Sequence, residues 1–236
     1  YPTDFSDLSV WLSADSNATF NIATKKVSAW GDRSGKGNDF YQADESKQPF
    51  RYTYEDEDRG DQGLFNEKTR FSFPSTTKPI AILTSQSIGT QLSSGNLTVF
   101  TVFHSVLEIG GVGTESVFGF KTTTAGLGTI EFGYKDLANF KGKVTDGQGN
   151  TIEALATNYG DNDVSITYRL NSDTLTLFRN NIKETPVTTV GFDASNRFVV
   201  GNLSVGGVDT DVIESYFDGD IAEVIVYNRS LSDEEV

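Results

Sequence analysis

Carboxylates are the reactive groups this sequence offers in quantity, and one of them sits where a carboxylate is expensive. Glu223 lies in the run DIAEVIVYN, where strict alternation puts it on one face with Ile221, Ile225 and Tyr227. A carboxylate on an apolar face must be paired or hydrogen-bonded. Three partners would serve. One is the backbone N–H groups of the turn Gly35-Lys36-Gly37, because glycine lets a backbone come close. Another is a calcium ion, a hard cation that takes oxygen ligands, with Asp32 and loop carbonyls completing the shell. The third is a guanidinium, from Arg33 or Arg229. Asp32 opens the glycine-rich stretch of WGDRSGKGN, followed by Ser34, Gly35, Gly37 and Asn38. In such a turn Asp and Ser also hydrogen-bond their own backbone, so a structural clasp is expected as readily as a ligand set. Asp218 and Asp220, on either side of Gly219, can join either arrangement. The expected metal ligands are therefore Asp32, Glu223, Asp218 and Asp220, with calcium as the ion. The other acidic runs, at 55–61, 161–163 and 207–211, lack the glycine and closing glutamate of a calcium loop.

Sugar recognition needs a different set: aromatic faces, and Asn, Asp and Gln groups for hydroxyls. Tyr134, the loop carrying Asp146, Gln148 and Asn150, and the pair Tyr159 and Asp161 supply them. The competing expectation is that these aromatics belong to the core and these loops are plain hairpins. Glycoside hydrolysis with retention needs two carboxyl groups about 5 Å apart. No strand-like run places Glu or Asp at alternate positions on one face, and Glu131 and Asp136 fall on opposite faces. The single histidine, His104, lies in an apolar run and shows no serine–acid partnership. A non-catalytic domain is expected. Arg59-Gly60-Asp61 and the N-x-S/T sequons at Asn17, Asn96, Asn202 and Asn228 are short enough to arise by chance.

The totals narrow the partners further. With 33 acidic and 19 basic residues the chain carries a formal charge of −14, which repels nucleic acid and anionic lipid. It has no cysteine, so disulfides, thiolate metal sites and a cysteine nucleophile are excluded. No apolar run is long enough to insert in a membrane.

These residues must be positioned by strands. DVSITYRL alternates, with Val164, Ile166, Tyr168 and Leu170 on one face. LTVFTVFHSVL is apolar on both faces, as a strand inside a sandwich is. SVWLS, RFSF, IAILT, SVFGF, GTIEFGY, TLTLF, RFVVG and DIAEVIVYN are further strands, separated by SSGN, IGGVG, TDGQGN, YGDND, LNSD and RNN. Ser230 or Ser232 would cap a short helix at Asp233-Glu234-Glu235. The charged stretch 54–68 is expected to form a long surface loop. About a dozen strands in one β-sandwich would follow.

Two motifs add a resemblance. LSVWLSADSNATFNIATKKVSAWGDRSGKGNDFYQ and FDGDIAEVIVYNRSLSDEE resemble the opening and closing segments of bacterial laminin-G-like jelly-roll domains, of the concanavalin A-like superfamily. TLTLFRNNIKE sits where that family has a short hairpin ending in Asn-Gly; here it has Asn180-Asn181, and Asn also tolerates the left-handed turn. The resemblance implies a single all-β domain over 1–236, an antiparallel two-sheet jelly roll in which the first and last strands are neighbours. It also implies a structural calcium near the closing strand. The expected function is an extracellular recognition or adhesion module, on a cell or virion surface, that binds a glycan or a protein surface. The alternative is a structural subunit of a filament, appendage or virion that self-assembles or joins neighbouring domains. A glycoside hydrolase ranks third.

Overall fold

The computed structural model describes residues 1–53, 69–74, 82–84, 95–105, 115–120, 128–136, 138–157, 163–193, 203–207 and 216–236. The expected 54–68 loop, the Arg59-Gly60-Asp61 tripeptide, the RFVVG strand, Asn202, Tyr159 and Asp161 lie outside these residues.

In chain order the strands are β1 (Leu8–Ser13), β2 (Ala18–Phe20), β3 (Val27–Trp30), β4 (Phe40–Tyr41), β5 (Phe50–Tyr52), β6 (Arg70–Phe73), β7 (Ile82–Thr84), β8 (Asn96–Ser105) and β9 (Glu115–Phe120). They continue with β10 (Thr129–Asp136), β11 (Asn139–Thr145), β12 (Thr151–Thr157), β13 (Asp163–Asn171), β14 (Thr174–Arg179), β15 (Ile182–Lys183), β16 (Val187–Thr188), β17 (Ser204–Val205) and β18 (Gly219–Tyr227). All pairings between named strands are antiparallel and fall into two sheets. Sheet A runs β15-β14-β13-β8-β18-β6-β5, with β1 also on β18 and β16 on β14. Sheet B runs β12-β11-β10-β9-β17-β7-β4-β3-β2. The fold is an all-β two-sheet antiparallel sandwich.

The core lies between the sheets, where their alternate residues meet. Val164, Ile166, Tyr168 and Leu170 on β13 all point into it, as the alternation of DVSITYRL requires. They face Ile130, Phe132, Phe140 and Val144 of sheet B; the Phe132 and Tyr168 rings stack with centres 4.2 Å apart. Gly142 is needed on β11, because a Cβ there would meet Leu177 and Tyr168 at 2.9 and 3.0 Å. The hairpin from β14 to β15 turns through Asn180 and Asn181, both left-handed at φ 46° and 65°, the geometry of a type I′ turn.

The first and last strands pair, Trp11 opposite Ile225 and Leu12 opposite Val224. One expectation about this strand is corrected. Glu223 keeps Ile225 and Tyr227 on its face, but Ile221 lies in the main core. A register shift against β8, between Ile221 and Glu223, reverses the alternation there. The end of the chain is a second correction. Residues 233–235 form a turn rather than a helix, with Glu235 and Val236 N–H donating to Ser232 O at 3.3 and 3.2 Å. Glu235 also accepts both terminal nitrogens of Arg229, at 2.8 and 2.6 Å, and that contact holds its carboxyl down to about 2.

The outer face of sheet A is capped where β1, β18 and β8 meet. Leu8, Trp11, Tyr227 and Leu231 form a second apolar cluster, with Phe100, Ile225 and Val236 against it. The Tyr227 hydroxyl donates to Pro2 O at 2.9 Å, and burial raises that phenol to about 12.

Candidate functional site

Trp11 on β1 is the centre of the clasp. Its backbone N–H donates to Asp32 Oδ1 at 2.9 Å, and its indole Nε1–H donates to Glu223 Oε1 at 2.8 Å. The Arg33 guanidinium lies 3.9 Å from the centre of the indole ring. Glu223 therefore takes the indole rather than the glycine-turn backbone or an arginine. Asp32 accepts four hydrogen bonds: from Trp11 N and Ser34 N at 2.9 Å, Ser34 Oγ at 2.6 Å and Asn38 N at 3.0 Å. Gly35 and Gly37, at φ 81° and 72°, bend the chain so that Asn38 returns to Asp32. The Asn38 side chain then donates to Ser9 O, back on β1, at 2.7 Å. Ser34, Gly35, Gly37 and Asn38 thus join the chain's opening loop to β1, and Trp11 carries the link on to β18.

Of the four carboxylates expected to share a metal, Asp32 and Glu223 hold opposite ends of Trp11, and Asp220 pairs with an arginine. Asp220 is fully buried and forms an ion pair with Arg70 Nε at 3.0 Å. Asp218 precedes β18, and its backbone N–H donates to Glu115 Oε2 at 3.3 Å. Among the described residues no three His, Cys, Asp or Glu side chains gather as a metal site.

The Asp146 loop is a second knot of the same kind. Asp146 is buried and accepts from Gln148 N, Asn150 N, Asn150 Nδ2 and Asp193 N at 2.8–3.0 Å. Burial alone would raise its carboxyl; the N–H of Asp193 and the donors of Asn150 and Gln148 outweigh it and hold it below the usual range. Asn150 also donates to Gly191 O at 2.9 Å. Asp146 and Asn150 therefore hold two loops together, while the exposed Gln148 contributes its backbone N–H to the knot. Tyr134 is corrected as a sugar platform: it is fully buried, packed against Phe103 and Phe140 in the core.

Sequence patterns missed two features. Glu115, at the start of β9, meets Asp218 from 103 positions away. Burial pushes its carboxyl up from 4.5 to about 7, the Asp218 charge adds to the rise and the Asp218 N–H opposes it. The folded state then keeps a proton that the unfolded chain loses near 4.5, so this group's contribution to stability falls as pH rises from about 4.5 to about 7. Glu115→Gln removes that dependence. Thermal melts at pH 5 and pH 8 are expected to show the variant gaining on the native protein at the higher pH; an unchanged gap between them would contradict the assignment.

The second feature is a row across the outer face of sheet B. Register places Thr19, Ala29, Tyr41, Leu83, Ser204, Gly119, Glu131, Lys143 and Glu153 side by side, one from each strand. Directly opposed residues share a face. Tyr41 is 45% exposed, Ser204 and Gly119 are small and buried, and Glu131 binds Lys141 Nζ at 3.1 Å. Lys141 is only 3% exposed, and Lys135 reaches Glu153 at 2.8 Å. Tyr41 and the Lys135–Glu153 pair are open to solvent on this face, whereas Ser204, Gly119 and Lys141 are covered.

Comparison with solved structures places this arrangement among known folds. The binding domain of Paraclostridial Mosquitocidal Protein 1 aligns over 100% of this chain and 51% of its own, at 13% identity and a TM-score of 0.64. The chain folds as a β-sandwich of that kind. The Ruminococcus gnavus IT-sialidase CBM40 aligns over 64% of this chain and 88% of its own, at 18% identity and a TM-score of 0.50. NanB sialidase from Streptococcus pneumoniae aligns over 63% of this chain, at 20% identity and a TM-score of 0.50, and this chain spans only 25% of it. At these identities the likeness establishes the fold. No family model matches the sequence, and no curated protein matches it.

Proposed function

We propose that the chain is a non-catalytic recognition module of an extracellular protein, and that it binds a glycan on the outer face of sheet B. The asymmetry between the two outer faces carries this reading. Sheet A is capped by the chain ends and the Trp11–Tyr227 cluster. The described part of sheet B instead leaves Tyr41, Leu155 and the Lys135–Glu153 pair open to solvent. Aromatic surface with a few fixed polar groups is what a sugar site requires. The likeness to a binding domain and to a sialidase CBM40 supports the reading, as do the laminin-G-like terminal motifs. Calcium has no necessary part in it. A carboxylate offers about four lone-pair sites, and the four donors on Asp32 use them, so an ion there would have to displace a donor.

A glycan array probed with the isolated domain is expected to show selective binding, and the bound glycan is expected to be recovered intact. A blank array would overturn recognition of sugars; release of shorter glycans would overturn the absence of catalysis.

A further inference from the structure

We propose that the open edge of β12 is a self-association surface, pairing antiparallel with the same edge of a second copy of this chain about a two-fold axis at Ala154. The inference goes beyond glycan recognition and stands apart from it.

β12 ends sheet B, with β11 on one side and no strand on the other. Its seven residues pair with β11 without a break in register. The turn between the two strands fixes which backbone groups that pairing leaves over. Asp146 N–H donates to Asn150 O at 2.9 Å, so these two residues are a hydrogen-bonded pair, and every second pair beyond them is one too. The Thr145 and Thr151 hydroxyls, 3.0 Å apart, mark the closer, non-hydrogen-bonded pair that comes next. Ile152, Ala154 and Ala156 therefore bond to β11 and bury their side chains in the core. Thr151, Glu153, Leu155 and Thr157 direct their backbone N–H and C=O groups out along the edge. Among the described residues nothing hydrogen-bonds to those groups.

A regular edge of this length is a template for another strand unless a bulge, a proline or a lysine breaks it. β12 has none of these. The other outer strands are short: β2 and β5 have three residues each, β15 and β16 two. The sequence TIEALAT selects a second copy as the occupant. Only residues with outward backbone groups can oppose one another. An axis at Glu153 would set that carboxylate against itself and leave Thr157 over. An axis at Leu155 would leave Thr151 over. An axis at Ala154 uses all four residues, with Thr151 opposite Thr157 of the partner copy and Glu153 opposite Leu155 of the partner copy. Threonine pairs are favourable cross-strand neighbours, and no like charges meet. Four opposed pairs exchange about eight N–H···O bonds. Leu155, 39% exposed in the single chain, gains cover. The chain carries a charge of −14, yet the outer face of β10–β12 sets Lys135, Lys141 and Lys143 against Glu131 and Glu153, one net positive charge. Repulsion between two copies is thus relieved at this edge. The contact is small beside the ~1,600 Å² of a stable interface, so a dissociation constant on the order of 10–100 μM is expected.

The test is sedimentation equilibrium of the whole domain from about 5 to about 500 μM, with no sugar present. The native chain is expected to pass from monomer to dimer across that range. Leu155→Pro removes an edge N–H that β11 does not use, and is expected to stay monomeric while melting close to the native protein. Leu155→Glu keeps every backbone group and carries the same test without a proline. It faces Glu153 of the partner copy and is expected to weaken association about tenfold or more, and less in high salt. Leu155→Lys faces the same glutamate and is expected to keep the dimer. A native chain that is monomeric throughout overturns the proposal. A folded Leu155→Pro that dimerises like the native chain overturns the β12 edge as its site. Equal loss in Leu155→Lys and Leu155→Glu overturns the axis at Ala154.

Discussion

Asp220→Ala is expected to destabilise the domain by about 3–5 kcal/mol, the cost of breaking a buried ion pair. At this chain length that corresponds to a melting temperature lower by about 6–20 °C. The Arg70 guanidinium is 5% exposed and Asp220 is fully buried, with Nε and Oδ2 3.0 Å apart. The two strands pair beside them, Asp220 opposite Ser72 and Ile221 opposite Phe71. Alanine at 220 leaves a cation enclosed at that junction without its counter-charge, which costs far more than the pair contributes when intact. The double variant Arg70→Met with Asp220→Ala separates these terms. It removes the stranded charge and is expected to recover more than half of the loss. Denaturant unfolding of the two single variants and the double checks this; a double variant as unstable as the sum of the singles would show that the pair is not what holds the junction.

The clasp was legible in the sequence because its parts carry strong local chemistry. Asp32 before two glycines, and Glu223 among apolar residues, each stand out alone. Trp11 does not, since only pairing of β1 with β18 brings its indole to Glu223, 212 positions away. Ile221 defeated alternation because one register shift reverses every later side chain, and a bulge leaves no mark in a run of apolar residues. Tyr134 was readable: alternation through Ile130 and Phe132 puts it in the core, where it lies. The Tyr41 row was not. Its members come from nine strands, several only two or three residues long, too short to show a period. Register between such strands is set by the packed core, not by any local pattern.

Asp32→Ala is expected to cost about 2–4 kcal/mol, since it removes the acceptor of four hydrogen bonds and leaves partly buried N–H groups unmet. The exposed Asp173→Ala, in the turn between β13 and β14, serves as the control and is expected to fall within ~0.5 kcal/mol of the native protein. Glu223→Ala strands the Trp11 indole N–H and so acts on the other end of the same side chain. Because both carboxylates grip one tryptophan, their effects are expected to couple, with an interaction of more than about 0.5 kcal/mol in a double-mutant cycle. Strict additivity would mean that the loop and the closing strand are fastened independently. The cycle is run in excess calcium and again in chelator at matched ionic strength. If the clasp is made of hydrogen bonds alone, the native melting temperature is the same in both. An ion bound only by the folded state would raise it with concentration, and Asp32→Ala would abolish the rise. Equal melting points with coupled variants would identify Trp11, held between Asp32 and Glu223, as the fastener that needs no metal; a calcium-dependent melt would replace the hydrogen-bonded clasp with an ion-held one.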